Sequence, residues 1–489
     1  MGSSRGVGVA LAVVACVVSG CASESPEAQD REASTPTTDT ATDAQVQDRW
    51  VSSGLDVHSE LSATADSIVY AGVEDEQLQI VALDPASGAE RWRRASDVSA
   101  RIRGVGLEIY TDDDTAYFLT REPSDGSSMA VRSASAGGNS GSGGLSLTAV
   151  ITASGETRWS TPLAGEANPN ATGCGPSVCL VVEAVAGEEV WRFDPETGDV
   201  QGTAEVSLPG GPGHDAFLSG IDDEDISTFI TASRGPVIIG QHSASGATLD
   251  WARPVDEVFG GEDVSPNGGW AGWPTDDGGW VIWLGSGKRP PGQPQAGDTF
   301  ERGAVGGVTA DGSPRWVRPD RHPCVFALAE VPVVCDGILT MTSNSTGSAR
   351  PDMMEGIDPL TGATTWQLEL GGAVDEFDSS ADVLRIDDVT LLITTAAGLQ
   401  LVDLRSGATP GADADAVGWC QPDLNQDDAI AVRGDTEDYL RSAGFYPCRL
   451  GGESVDEPAS LPVPDFAGVR SGEYSAWVVD GAVHAQRQP

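Results

Sequence analysis

Residues 82–92 read "ALDPASGAERW". An Asp, a Pro and a Gly lie within five positions, after an apolar run and four residues before a Trp. Asp at the first position of a turn accepts a backbone N–H two residues on. Pro at the next presets φ for a type I turn, and Gly supplies the left-handed residue that closes a bulged hairpin. The stretch therefore specifies a β-hairpin, with Glu90 and Arg91 expected as a surface pair and Trp92 as a packing residue.

The pattern recurs. Asp84–Gly88, Asp194–Gly198, Asp358–Gly362 and Asp403–Gly407 place Asp four residues before Gly, whereas Thr152–Gly155, Ser243–Gly246 and Thr309–Gly312 are one residue tighter. Trp92, Trp159, Trp316 and Trp366 each lie four residues past the Gly, and Trp251 lies five past. Successive glycines are 67, 43, 48, 66, 50 and 45 residues apart. Periods of this size, built from several short strands, identify a β-propeller with one four-stranded antiparallel blade per repeat. The two long spacings contain insertions, 121–144 and 288–297. Residues 50–489 divided by eight give ~55 per blade, so eight blades are preferred, with seven the alternative. The N-terminal strand is expected to pair in the C-terminal blade and close the ring.

The repeat resembles the tryptophan-docking motif of the pyrroloquinoline-quinone-like β-propellers. "ALDPASGAERW" and "GIDPLTGATTW" (356–366) follow it closely, and the other copies are degenerate. The resemblance covers residues 50–489. It implies either a quinoprotein dehydrogenase holding quinone and calcium, or a non-catalytic, protein-scaffolding lipoprotein. The dehydrogenase pattern is not met: the chain has no adjacent Cys-Cys pair and no CxxCH. The five histidines, at 58, 214, 242, 322 and 484, form no recognisable site. The expected protein is therefore not an enzyme and has no cofactor.

The chain begins with an export signal. Arg5 forms the positive region, Val7–Val18 the apolar run, and Val18-Ser19-Gly20-Cys21 resembles a bacterial lipobox. Residues 1–20 are read as the lipoprotein signal peptide and Cys21 as the lipidated residue. Residues 22–49 are rich in Ser, Thr, Pro and acid and form a disordered tether. The propeller then follows, anchored by lipid outside the cytoplasmic membrane. A net charge of −46 disfavours nucleic acid, leaving protein partners of unspecified identity at the cell envelope.

Beyond Cys16 and Cys21, six cysteines remain in an exported chain, which points to disulfides. Local pairing, Cys174–Cys179, Cys324–Cys335 and Cys420–Cys448, is chosen among the fifteen connectivities. "GGWAGWPTDDGGWVIW" (268–283) offers Trp270 and Trp273 as a candidate ligand platform, as in a ligand sensor, against packing within and between blades. In an extended strand Trp280 and Trp283 would face opposite ways. Residues 423–434 begin like a calcium loop, but Asp428 and Gly434 break the template, leaving an acidic loop and no metal site.

Overall fold

The computed structural model describes most of the chain from Arg49 to Gln488. Residues 1–48 lie outside the description, as do internal stretches, chiefly 98–106, 122–143, 206–213, 233–237, 244–248, 288–298, 421–429 and 432–438. Cys21, the tether, both long insertions and most of the 423–434 loop thus fall outside it.

The described residues are almost entirely β and form a β-propeller. Eight antiparallel sheets of four or more strands follow one another along the chain. The first is Ser62–Ala63, Ile68–Glu74, Gln77–Leu83 and Glu90–Ala95, and the second is Tyr110–Asp112, Thr115–Arg121, Leu145–Ile151 and Thr157–Pro162. The third spans 166–205, the fourth 214–254, the fifth 270–319 and the sixth 322–369. The seventh spans 383–409 and carries two further strands, Val417–Cys420 and Tyr446–Arg449. The last sheet takes three strands from 468–487 and its fourth, Arg49–Val51, from the N-terminal end of the described chain. Arg49 pairs with Gln486, Trp50 with Ala485 and Val51 with His484. The expected ring closure is present, and it starts at Arg49, one residue before the boundary drawn from composition.

The core lies between sheets. Alternate residues of one strand face opposite neighbours: Ile68, Tyr70 and Val81 pack on Ala476, Val478 and Val483 of the closing sheet, while Val69, Ile80 and Ala82 pack on Ala116, Phe118 and Val150 of the second. Both faces are buried, which is why "IVYAGV" and "LQIVAL" read as nearly continuous apolar runs.

Tryptophans join the seams. Trp50 donates its Nε1–H to the Pro85 carbonyl of the next sheet at 2.8 Å, and Trp92 to Thr152 at 2.6 Å. Trp159 reaches Pro195 at 2.8 Å, Trp316 reaches Pro359 at 3.2 Å and Trp366 reaches Leu404 at 3.2 Å. Each acceptor is one residue into the neighbouring turn. The turn glycine gives the ring its space: a Cβ on Gly362, at φ +67°, would lie 2.4 Å from the Trp316 ring.

The turns depart from the sequence grouping in two places. Gly155 N–H bonds to the Ile151 carbonyl over the same four-residue span as Gly88 to Asp84, so Ile151 occupies the Asp position and this turn is not tighter. The 403–407 turn pairs Asp403 directly with Gly407 without a bulge. The 309–312 turn is truly tighter, with Gly312 N–H on the Thr309 carbonyl. It lacks the extra residue that receives the indole N–H elsewhere, and Trp251 donates instead to Gln241 Oε1 in its own sheet at 2.8 Å. Glu90 and Arg91 also do not pair with each other: Arg91 bonds Asp84 at 2.7 Å and Glu90 bonds Arg93 at 2.6 Å, because neighbours on a strand point to opposite faces.

All three local cysteine pairs have disulfide geometry, with sulfur separations of 1.97 Å for Cys174–Cys179, 2.07 Å for Cys324–Cys335 and 2.02 Å for Cys420–Cys448.

The Asp-led turns make stability depend on pH. Backbone N–H groups of Thr197 and Glu196 hold the Asp194 carboxyl below its ordinary value of 3.8, and those of Thr361 and Leu360 do the same for Asp358. Ser406 lowers Asp403, and Thr309 and Ser313 lower Asp311 to about 2. A carboxyl depressed on folding contributes stability above its unfolded pKa and loses it as pH falls through the folded one. The melting temperature is therefore expected to fall between about pH 4 and pH 2. Asp194→Asn with Asp358→Asn should make that fall shallower in a thermal-melt series.

Candidate functional site

An antiparallel meander places its first and third connections at one end and its second connection and its exit at the other. Contacts across seams align these ends around the propeller. Thr64, in the first connection of the first sheet, meets Thr152 of the second sheet with 2.9 Å between hydroxyls, and Ser471 of the closing sheet donates to the Thr64 carbonyl at 2.7 Å.

This turn end is closed on itself. Asp84 Oδ1 accepts the N–H groups of Ala86 and Ser87 and the Ser87 hydroxyl. Burial raises the Asp84 pKa, but Arg91, Ser87 and Ala86 outweigh it and hold the carboxyl low. Arg158 bonds Asp114, Arg315 bonds Asp277, and Arg487 bonds Glu473. The longer connection here, 324–332, is held by Cys324–Cys335.

At the opposite end are the strand ends between which the sequence runs through 96–109, 122–144, 255–269, 285–303, 336–352 and 410–467. Strands from two of these, Thr299–Glu301, Ile338–Met341 and Gly347–Ala349, make an additional three-stranded sheet.

The seam between the seventh and closing sheets is not joined by a tryptophan docked on a turn. The closing sheet's fourth strand comes from the N-terminal side, so it has no third turn on which a Trp could dock. In the corresponding position of the seventh sheet the sequence has Gly411. Described residues of the 410–467 connection occupy this seam instead. Its hairpin, clamped by Cys420–Cys448, places Trp419 edge-on against Trp477 with ring centroids 5.8 Å apart, among Phe445, Val463 and Ala467.

Beside that contact is a cleft of about 400 Å³, lined by Arg49, Trp50, Val51, Pro447, Ser454, Val455, Trp477, Val479 and His484. Val51 pairs with His484, and His484 with Trp477. These three side chains therefore form a row across one sheet face. The His484 ring stacks on Trp477 with centroids 6.0 Å apart. Val51 is 53% exposed. The Trp50 indole is committed to the opposite face, on Pro85.

The tryptophan-rich hairpin is placed otherwise. Trp273 is 4% exposed and packs with Trp283, Val305 and Ile357 between the fifth and sixth sheets. It has no accessible face for a ligand, because its strand is sandwiched between neighbouring sheets. The Trp270 backbone pairs with Leu284, and its side chain lies outside the description. Trp280 packs with Trp251 and Ile282 in the other seam, so Trp280 and Trp283 do face opposite ways.

Two buried charged groupings gave no signal in the sequence. His322 Nε2 lies 2.9 and 2.8 Å from the two Glu376 oxygens, with both side chains fully enclosed between the sixth and seventh sheets. Glu355 bonds Arg318 at 2.6 Å and Arg321 at 2.8 Å. Burial raises its pKa, but Thr364 and the two guanidinium groups prevail and lower it. Neither grouping presents an open face to a substrate. Among the described residues, no set of three or more His, Cys, Asp or Glu is placed to hold a metal ion.

Residues 37–271 match the family model of the outer membrane protein assembly factor BamB. The match takes in just under half of the chain and agrees with the quinone-type repeats read from its turns. No curated protein sequence matches the chain. Among solved structures, BamB from Moraxella catarrhalis is similar at 12% identity and a TM-score of 0.39, over 88% of this chain and 97% of that one. A europium-containing methanol dehydrogenase aligns at 9% identity and a TM-score of 0.36, over 78% and 83%. The Dos1 propeller aligns at 9% identity and a TM-score of 0.39, over 90% and 93%.

Proposed function

We propose that this chain is a lipid-anchored, extracytoplasmic propeller of eight blades that binds other proteins through its insertion-bearing end. The asymmetry of the two ends carries this reading. At one end Asp-led turns and Arg–carboxylate pairs bond within the end itself, whereas the long, non-repeating connections depart from the other. Loops on a rigid scaffold are where binding residues concentrate. The match to the BamB family model supports a protein-binding role. The lipobox-like Val18–Cys21 supports anchoring at Cys21, which would hold the propeller outside the cytoplasmic membrane.

Photocrosslinking in native membranes tests the partner reading. It expects covalent protein adducts on the wild-type chain, and labelled palmitate incorporation that Cys21→Ser abolishes. Dye-linked alcohol or sugar oxidation by the purified chain, given pyrroloquinoline quinone and Ca²⁺, would replace the binding reading with a dehydrogenase.

A further inference from the structure

We propose that the ring has a built-in opening seam, on the line where the disulfide-clamped hairpin meets the closing sheet. Opening there parts the closing sheet from the hairpin, while the closing sheet stays with the first sheet and the hairpin stays with the seventh. The inference does not depend on partner binding at this end.

Each side of that line is held to its own neighbour. The strands Val417–Cys420 and Tyr446–Arg449 extend the seventh sheet beyond its first strand, with Trp419 paired to Arg385. Cys420, Cys448 and Tyr446 pack on Leu384 and Leu392 of the same sheet. The closing sheet is joined to the first sheet by polar and apolar contacts together. Trp50 donates to the Pro85 carbonyl at 2.8 Å and Ser471 to the Thr64 carbonyl at 2.7 Å. Val57, bridged to Gly72 of the first sheet, donates its N–H to the Gly481 carbonyl at 2.8 Å. Ala476, Val478 and Val483 pack on Ile68, Tyr70 and Val81.

The contact between the two sides is of another kind. Trp419, Phe445, Val463 and Ala467 meet Trp477 and Val479 as an apolar cluster. Trp419 and Trp477 are each 1% exposed, and neither indole Nε1–H has an acceptor among the described residues. The two rings stand at 81°. An edge-on pair directs at most one N–H at the face of the other ring, so at least one donor is buried without an acceptor. Such a donor has given up its bond to water and made no other, and opening the seam restores it. Opening at a docked tryptophan does the reverse: it breaks a bond such as that from Trp159 to the Pro195 carbonyl at 2.8 Å. Beside Trp477 the cleft leaves part of the closing sheet's face uncovered, with Val51 53% exposed. Burial of the large rings keeps the seam closed in the ground state. The missing bonds and the incomplete cover lower the free energy of parting it, which makes it a sub-global opening below global unfolding.

Indole-selective alkylation of the full chain under native conditions tests this, with 2-hydroxy-5-nitrobenzyl bromide as reagent and peptide mass spectrometry to map the adducts. Trp419 is the reporter, because it faces the proposed opening and does not line the cleft. Static exposure favours Trp159, at 8%, over Trp419, at 1%. An opening seam reverses that order: Trp419 should be alkylated about tenfold faster than Trp159, or more. Amide exchange at 417–420, measured in parallel, should remain slow, because the hairpin stays paired to the seventh sheet. Trp419 reacting no faster than Trp159 would overturn the proposal. So would fast exchange at 417–420 on the timescale of Trp419 alkylation, because the hairpin would then be melting rather than the seam parting.

Discussion

Trp159→Ala is expected to lower the unfolding free energy by about 3–5 kcal/mol, the usual range for deleting a buried Trp side chain. Trp159 is 8% exposed. Its ring stacks on Phe193 at 6.1 Å and tilts against Tyr117 at 5.8 Å, so it touches both sheets of its seam. Its Nε1–H bonds the Pro195 carbonyl, and a Cβ on Gly198 would lie 2.5 Å from the ring. Removal leaves a cavity under a turn shaped around the indole. Trp159→Phe keeps most of the buried area and loses the hydrogen bond, so it should cost less, about 1–2 kcal/mol. Urea unfolding of the three proteins measures the difference. A loss below about 1 kcal/mol for the alanine variant would mean that the rings do not hold the seams.

The second large effect is expected from Cys420→Ser with Cys448→Ser. This disulfide closes a separation of 28 residues, and the chain-entropy relation gives about 3–4 kcal/mol for a loop of that size. The Cys174–Cys179 bridge, with a separation of 5, should contribute about 2 kcal/mol by the same relation. Because the two strands it joins are added at the edge of the seventh sheet, where Trp419 pairs with Arg385 and Cys420 and Cys448 pack on Leu384 and Leu392, the loss should be local. Amide exchange should accelerate at 417–420 and 446–449 while the first two sheets keep their protection. Equal effects from the two bridges, or global destabilisation by the larger one, would show that the hairpin is not a separately held wall of the cleft.

The propeller was legible because its signals are local and repeated. Asp84, Pro85 and Gly88 determine a turn within five residues, and the same chemistry at 194, 358 and 403 gives the period. The disulfides followed from neighbourhood along the chain. The Thr152 turn was misgrouped because the bond that sets its span, Gly155 N–H to the Ile151 carbonyl, is made by backbone alone, and Ile151 lacks the side-chain acceptor that marks Asp84. The cleft was not legible at all. Arg49, Pro447, Trp477 and His484 meet only when the ring closes, and no spacing rule links residues that far apart. His322 and Glu376, 54 positions apart, were hidden for the same reason. The tryptophans of 268–283 are dense in sequence, and three of them, Trp273, Trp280 and Trp283, are buried packing residues between sheets.

Partner contact at the insertion-bearing end is the central functional claim. Site-specific photocrosslinkers in native membranes address it directly. Asp75 and Ala397 lie in exposed second connections, at the insertion-bearing end, while Glu196 and Leu360 lie in exposed turns at the other. Protein adducts are expected from Asp75 and Ala397 and not from Glu196 or Leu360. Adducts from Glu196 and Leu360 alone, equal yields from both ends, or none from either would contradict it.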